Sequence, residues 1–163
     1  MTLNQGTNWW STNLDITLDQ LKDAILAAVG NNGTATIKSQ TESISLINGQ
    51  WRPAEMDFDI REMYQIVVNS DYEITLTGVP VNPSEYEITI HNGINWIGFL
   101  LTESMSLDEA FSGLNPAIGD VVKSKVGSST YNGTIWRGSV ENLEPGQGYI
   151  YQSKASGERT FTF

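Results

Sequence analysis

The chain has 163 residues, 39% of them hydrophobic and 17% charged, with no cysteine and 19 acidic against 9 basic side chains. That balance is globular rather than disordered, and without cysteine there is neither a disulfide framework nor a thiolate metal site. A net charge of −10, spread along the chain with no basic stripe, repels phosphate backbones and anionic lipid, so nucleic acid is not an expected partner.

In chain order, "MTLNQGTNWW" opens on a short Trp-bearing strand. Thr17 with Gln20 three residues on has the capping-box pattern, and Leu18, Leu21, Ile25, Ala28 and Val29 follow at helical spacing, which predicts a helix with one apolar face. "TATIKS", "ESISLI", "YQIVV" and "YEITL" read as strands, with Asn48-Gly49 as a hairpin turn. Between them "EMDFDIRE" alternates. On an extended strand Glu55, Asp57 and Asp59 share one face, and Met56, Phe58 and Ile60 the other. Three convergent carboxylates suit Ca²⁺, but the run lacks the glycine and closing glutamate of a calcium loop. A solvated strand face is the favoured reading, and no metal is expected. "VPVNPSE", residues 79 to 85, has two prolines and no periodicity, so it is the expected connector.

After it, "YEITIHNG" leads into a second Trp strand, "NWIGF". Ser106 with Glu109 repeats the capping pattern, and Leu107, Ala110, Phe111 and Leu114 predict a second helix stopped by Asn115-Pro116. "DVVKS", "SSTY", "GYIYQS" and "RTFTF" read as the closing strands, set apart by Asn132-Gly133 and Pro145-Gly146.

The second series repeats the first. "TLNQGTNWW" from Thr2 lies over "TIHNGINWI" from Thr89, with Trp9 and Trp96 87 positions apart. "TLDQL" matches "SLDEA", "IKSQ" matches "VKSK", Trp51-Arg52 matches Trp136-Arg137, "MYQIV" matches "GYIYQ", and "ITL" matches "FTF", all in the same order. The expected fold is therefore α+β, predominantly antiparallel β, as two tandem related units of residues 1–78 and 86–163, each a small sheet packed with one helix. Residues before Trp96 form a fuller strand than those before Trp9, so the first unit is expected to be N-terminally truncated and the chain to be the C-terminal portion of a longer protein.

The run "NWIGF", "SMSLDEAF", "GDVVKSK", "WRG", "LEPGQGYIYQSK" and "TFTF" resembles a repeat of secreted and surface proteins of gut bacteria. The likeness spans both units and is strongest from Asn92 to Phe163; "FDIREMYQIV" in the first unit departs from it by losing the Pro-Gly turn. It implies an extracytoplasmic, non-catalytic module following upstream domains, and supplies no assigned catalytic residues or cofactor.

The matched Trp9/Trp96, Trp51/Trp136 and Tyr64/Tyr149 read as core anchors. Aromatics without a matching aromatic are the candidate ligand contacts: Trp10 over Ile97, Tyr131 over Leu46 and Tyr151 over Ile66. An exposed ring there can stack on the apolar face of a sugar or anchor a protein partner. Arg52 and Arg137, each beside a matched Trp, complete the candidate set as forks of hydrogen-bond donors for a carboxylate. Ordinary hydrophobic replacement and surface ion pairing are the competing readings. His91 is the single histidine; it precedes a turn, and no G-x-S-x-G elbow accompanies it. Function is thus expected to be spacing, adhesion or display of a glycan or protein ligand, with no direct membrane insertion. The alternative is a glycan-active hydrolase or an accessory domain of one.

Overall fold

The computed structural model describes residues 1–163. The first half contains β1 (Thr2–Leu3), β2 (Gly6–Trp10), β3 (Leu14–Asp15), α1 (Leu18–Val29), β4 (Ala35–Lys38), β5 (Ser43–Ile47), β6 (Gln50–Arg52), β7 (Tyr64–Val68), β8 (Tyr72–Glu73) and β9 (Val79–Pro80). The second contains β10 (Ile88–Ile90), β11 (Gly93–Ile97), β12 (Met105–Ser106), α2 (Leu107–Ala110), β13 (Val121–Lys123), β14 (Ser128–Tyr131), β15 (Trp136–Gly138), β16 (Asn142–Leu143), β17 (Tyr149–Ser153) and β18 (Arg159–Phe161).

The fold is mostly antiparallel β, as two five-stranded sheets in the orders β2-β7-β4-β5-β6 and β11-β17-β13-β14-β15. Each Trp-bearing strand pairs with a strand that arrives more than fifty residues later, so the register is set by long-range packing rather than by a turn. The pairing is the same in both: Gly6 faces Val68 and Trp10 faces Tyr64, while Gly93 faces Ser153 and Ile97 faces Tyr149. Each sheet carries a separate apolar cluster, one around Leu21, Ile25, Ile37, Ile44 and Tyr64, the other around Ile90, Phe99, Phe111, Val122 and Tyr149.

Side-chain hydrogen bonds recur at matched positions. Asn8 Oδ1 accepts from the Asn4 amide and its Nδ2 donates to the carbonyls of Asn4 and Ile66; Asn95 does the same with His91 and Tyr151. Ser39 Oγ accepts from the amides of Thr41 and Glu42, and Ser124 Oγ from those of Val126 and Gly127. The Tyr64 hydroxyl accepts from the Asp59 amide and the Tyr149 hydroxyl from the Glu144 amide, both at 2.7 Å.

The helices differ. Thr17 and Gln20 form the full reciprocal cap, and α1 runs twelve residues with Leu18, Leu21, Ile25 and Val29 buried. Ser106 accepts from the Glu109 amide, but α2 stops after four residues and continues as a 3₁₀ turn, Ser112–Leu114. The expectation of a second full helix is corrected here. Leu107, Ala110, Phe111 and Leu114 are all buried as their spacing implied, but a 3₁₀ turn also brings i and i+3 to one side. Ser112 and Gly113 are weak helix formers, and the residue before Pro116 is steered out of the helical region; Asn115 turns left-handed at φ 53°.

"EMDFDIRE" is not a strand. Residues 53 to 63 are irregular, held by Asp57 N–H to Glu42 Oε2 at 2.8 Å and by Asp59, which accepts from the Arg61 amide and guanidinium. Met56 and Ile60 are still buried. Glu55 instead reaches Lys22 Nζ at 3.5 Å, so the three carboxylates do not converge.

The two sheets meet through main chain. The Ser11 amide donates to Gly146 O at 3.3 Å, and the Gly98 amide, at the matched position, donates to Arg61 O at 2.7 Å. Gly148 lies against Met63, its own counterpart in the repeat: a Cβ added at Gly148 would overlap Met63 Cβ and sit 3.0 Å from its Sδ. Gln40 bridges the free edge of β11, donating to Ile94 O at 3.0 Å and accepting from the Trp96 amide at 2.9 Å. Val79–Pro80 of the predicted connector pairs with Leu14–Asp15.

Candidate functional site

Two of the five expected ligand contacts are core residues. Trp10 is 4% exposed and tilts against Tyr64 at 6.4 Å; because side chains alternate along a strand, burying Trp10 puts Trp9 on the other face of β2. Tyr151 is 0% exposed. Neither ring has a face for a ligand, and both expectations are corrected. Arg52 and Arg137 are exposed and Tyr131 is half-buried.

Tyr151 belongs to a buried polar network. Its hydroxyl donates to Asp120 Oδ2 at 2.6 Å, the Lys154 amide to Oδ1 at 2.6 Å, and Arg159 Nη2 and the Ala117 amide to Oδ2 at 2.9 Å. Burial pushes the Asp120 carboxyl up, but the combined donors outweigh it and hold the group below its ordinary value. Burial, and then the hydrogen bond to Asp120, push the Tyr151 phenol far above its usual range. The first half has Ala35, Ile66 and Val68 where the second has Asp120, just before β13, with Tyr151 and Ser153 on β17, so matched positions carry an apolar trio in one half and a polar one in the other. That joint change was the missed signal: Tyr151 differs from its counterpart together with its neighbours.

A depression of about 500 Å³ lies where the sheets meet and is lined by Gln40, Asp59, Arg61, Glu62, His91 and Trp96 among others. Some of its polar groups are engaged within the chain, while the side chains of Thr41, Glu62, Glu87 and Thr89 are not. Arg61 grips Asp59 and donates to Glu87 O at 3.2 Å; His91 Nδ1 lies 2.9 Å from Glu158; Asn92 donates to Ala155 O. Burial, then the Asp59 charge, raise the Glu62 carboxyl.

A second cleft of about 400 Å³ lies between the 3₁₀ turn and the β14–β15 hairpin, lined by Asp108, Phe111, Ser112, Asn115, Pro116, Tyr131, Thr134, Ile135 and Trp136. Tyr131 and Trp136 are cross-strand partners whose rings meet at 5.4 Å and 51°, with Phe111 behind Trp136 at 5.6 Å. Asp108 Oδ1 accepts from the Trp136 amide at 3.1 Å. Arg137 lines an adjoining depression on the far side of Trp136. No group of three or more metal-ligating side chains comes together, and no helix is long and apolar enough to cross a membrane.

Comparison of the chain with protein-family models, with curated protein sequences and with solved structures returned no match in any of the three.

Proposed function

We propose that the chain is a non-catalytic module of an extracytoplasmic protein that displays a recognition surface for a glycan or protein ligand. In this reading residues 1–78 and 86–163 are two copies of one unit, linked by 79–85 and joined about an approximate two-fold axis. Equal strand order, equal register and matched hydrogen bonds in the halves support the duplication. The paired contacts Ser11–Gly146 and Gly98–Arg61, with Met63 against its counterpart Gly148, support the two-fold relation, since an isologous interface brings each patch onto its equivalent. The extracytoplasmic setting and the upstream domains rest on the resemblance to secreted and surface repeats.

The observation that carries the functional reading is where the polar chemistry goes. Asp59, Arg61, Asp120, Tyr151 and Arg159 hold main chain and one another in place, whereas the Tyr131–Trp136 cleft presents aromatic rings with polar groups around them. Such a surface suits recognition rather than proton transfer. The test against a hydrolase is incubation with a panel of chromogenic glycosides and dyed polysaccharides. The module releases no colour above the blank; release abolished by a single Asp→Asn or Glu→Gln substitution would replace this reading with the hydrolase one.

A further inference from the structure

Resting on the display reading, we infer that the shortening of α2 has opened a carbohydrate-binding cleft on the second half, with Tyr131 and Trp136 as its floor and a neutral glycan as its ligand. In the first half α1 runs three turns, and the loop beyond it reaches the β5–β6 turn: a Cβ at Gly49 would lie 2.7 Å from Asn31 Oδ1. There Leu46 is 1% exposed, and Trp51, half-buried like Trp136, keeps its ring N–H buried without a partner. In the second half α2 ends eight residues sooner, measured by helix length. The matched cross-strand pair is Tyr131 and Trp136 instead of Leu46 and Trp51, and both rings are half-exposed on a cleft. The difference lies at one member of the pair: the buried aliphatic Leu46 is replaced by the half-exposed ring of Tyr131.

The groups around that pair are unused. Neither the Tyr131 hydroxyl, the Trp136 ring N–H, the Asn115 side-chain amide nor the Thr134 hydroxyl has a hydrogen-bond partner within the chain, and Asp108 Oδ2 is likewise free. A pyranose presents an apolar C–H face edged by hydroxyls that both donate and accept. Stacking on an indole or phenol ring while its edge meets amide, hydroxyl and carboxylate groups satisfies both at once. The inter-sheet depression is larger, but Trp96 is its one indole or phenol ring and Gln40 and Arg61 are engaged within the chain, so it has no paired aromatic floor to offer a sugar. Asp108 in the cleft and the net charge of −10 select against polyanionic glycans.

The test is electrophoresis of the whole chain through native gels containing soluble neutral polysaccharides of differing linkage: a cellulose derivative, a xylan, a galactomannan, a mixed-linkage glucan and starch, with heparin as a polyanion. At least one neutral polymer retards the wild-type chain and heparin does not. Tyr131→Ala abolishes the retardation. Thr134→Trp, which fills the cleft mouth from an exposed position without touching the core, also abolishes it, while Lys38→Ala on the first sheet keeps it; circular dichroism confirms that each variant is folded. Retardation on no neutral polymer, or retardation that survives Thr134→Trp, overturns the cleft. Either result leaves the display reading with a protein ligand or another surface, whereas turnover of a glycoside would remove the display reading itself.

Discussion

Asn95 spans a tight passage at the start of β11, bonding the amide and carbonyl of His91 and the carbonyl of Tyr151 while 6% exposed. Removing it takes the side-chain partner from the buried Tyr151 carbonyl and from the part-buried amide and carbonyl of His91, at up to about 1–3 kcal/mol for each group that water does not reach. Asn95→Ala is therefore expected to lose about 3 kcal/mol in urea titration, more than the matched but better solvated Asn8→Ala; equal losses would contradict the burial argument. Asp120 gives a pH signature. Its folded value is depressed, so its contribution is complete above the unfolded value of about 3.9 and is lost as pH falls through the folded value. The stability gap between wild type and Asp120→Asn should be full at neutral pH and narrow below about pH 4; a gap unchanged down to pH 2.5 would show that the carboxylate charge is not what the network holds. At this scale the sequence was half legible. Trp51, Trp136, Tyr64 and Tyr149 pack on the cores as their repetition implied, whereas Trp9 and Trp96, expected there too, are half-buried and belong to neither core. Trp10 and Tyr151 were misjudged because a large unmatched ring can be core filling on one copy only, and a single position does not reveal the partner that buries it.

The strands were legible because alternation and Asn-Gly turns mark them directly: Ala35–Lys38, Ser43–Ile47, Tyr64–Val68 and Tyr149–Ser153 all fall within the runs that suggested them. What alternation did not reveal was residues 55 to 60, where Met56 and Ile60 are buried from an irregular segment pinned by side-chain bonds. The helices show how an end signal outranks a start signal. Both carry a capping residue, but only α1 has the length that a cap can stabilise. Thr17→Ala is expected to cost about 1 kcal/mol, and Ser106→Ala less than half of that, because α2 is a single turn already held by Phe111 in the core. Thermal melts of the two variants check this; a larger loss at Ser106 would mean that α2 is held by its cap rather than by its packing. The early stop lies beside the cleft lined by the half-buried Tyr131 and Trp136, so an element boundary, not a motif, locates the candidate site.

Taken whole, the molecule is two similar sheets with separate cores, closed against each other by main-chain hydrogen bonds, by side-chain bonds from Ser11, Gln40 and Arg61, and by a tight contact of unequal residues, Met63 against Gly148. In a two-fold arrangement those positions have equivalent surroundings, so the large and small residues are interchangeable between them. Met63→Gly alone opens a cavity and Gly148→Met alone overfills the same space, each at a cost of about 2 kcal/mol or more. The matched runs of sequence on which the proposed duplication rests are read from the chain itself, but the contact between halves is not, because "IREMY" and "PGQGY" look unrelated until they face each other. Calorimetric unfolding of the two single variants and of the exchanged pair, Met63→Gly with Gly148→Met, tests the duplication most directly. The account predicts that each single change lowers the melting temperature and that the exchange recovers most of the loss. An exchanged chain as unstable as the two losses combined would contradict it.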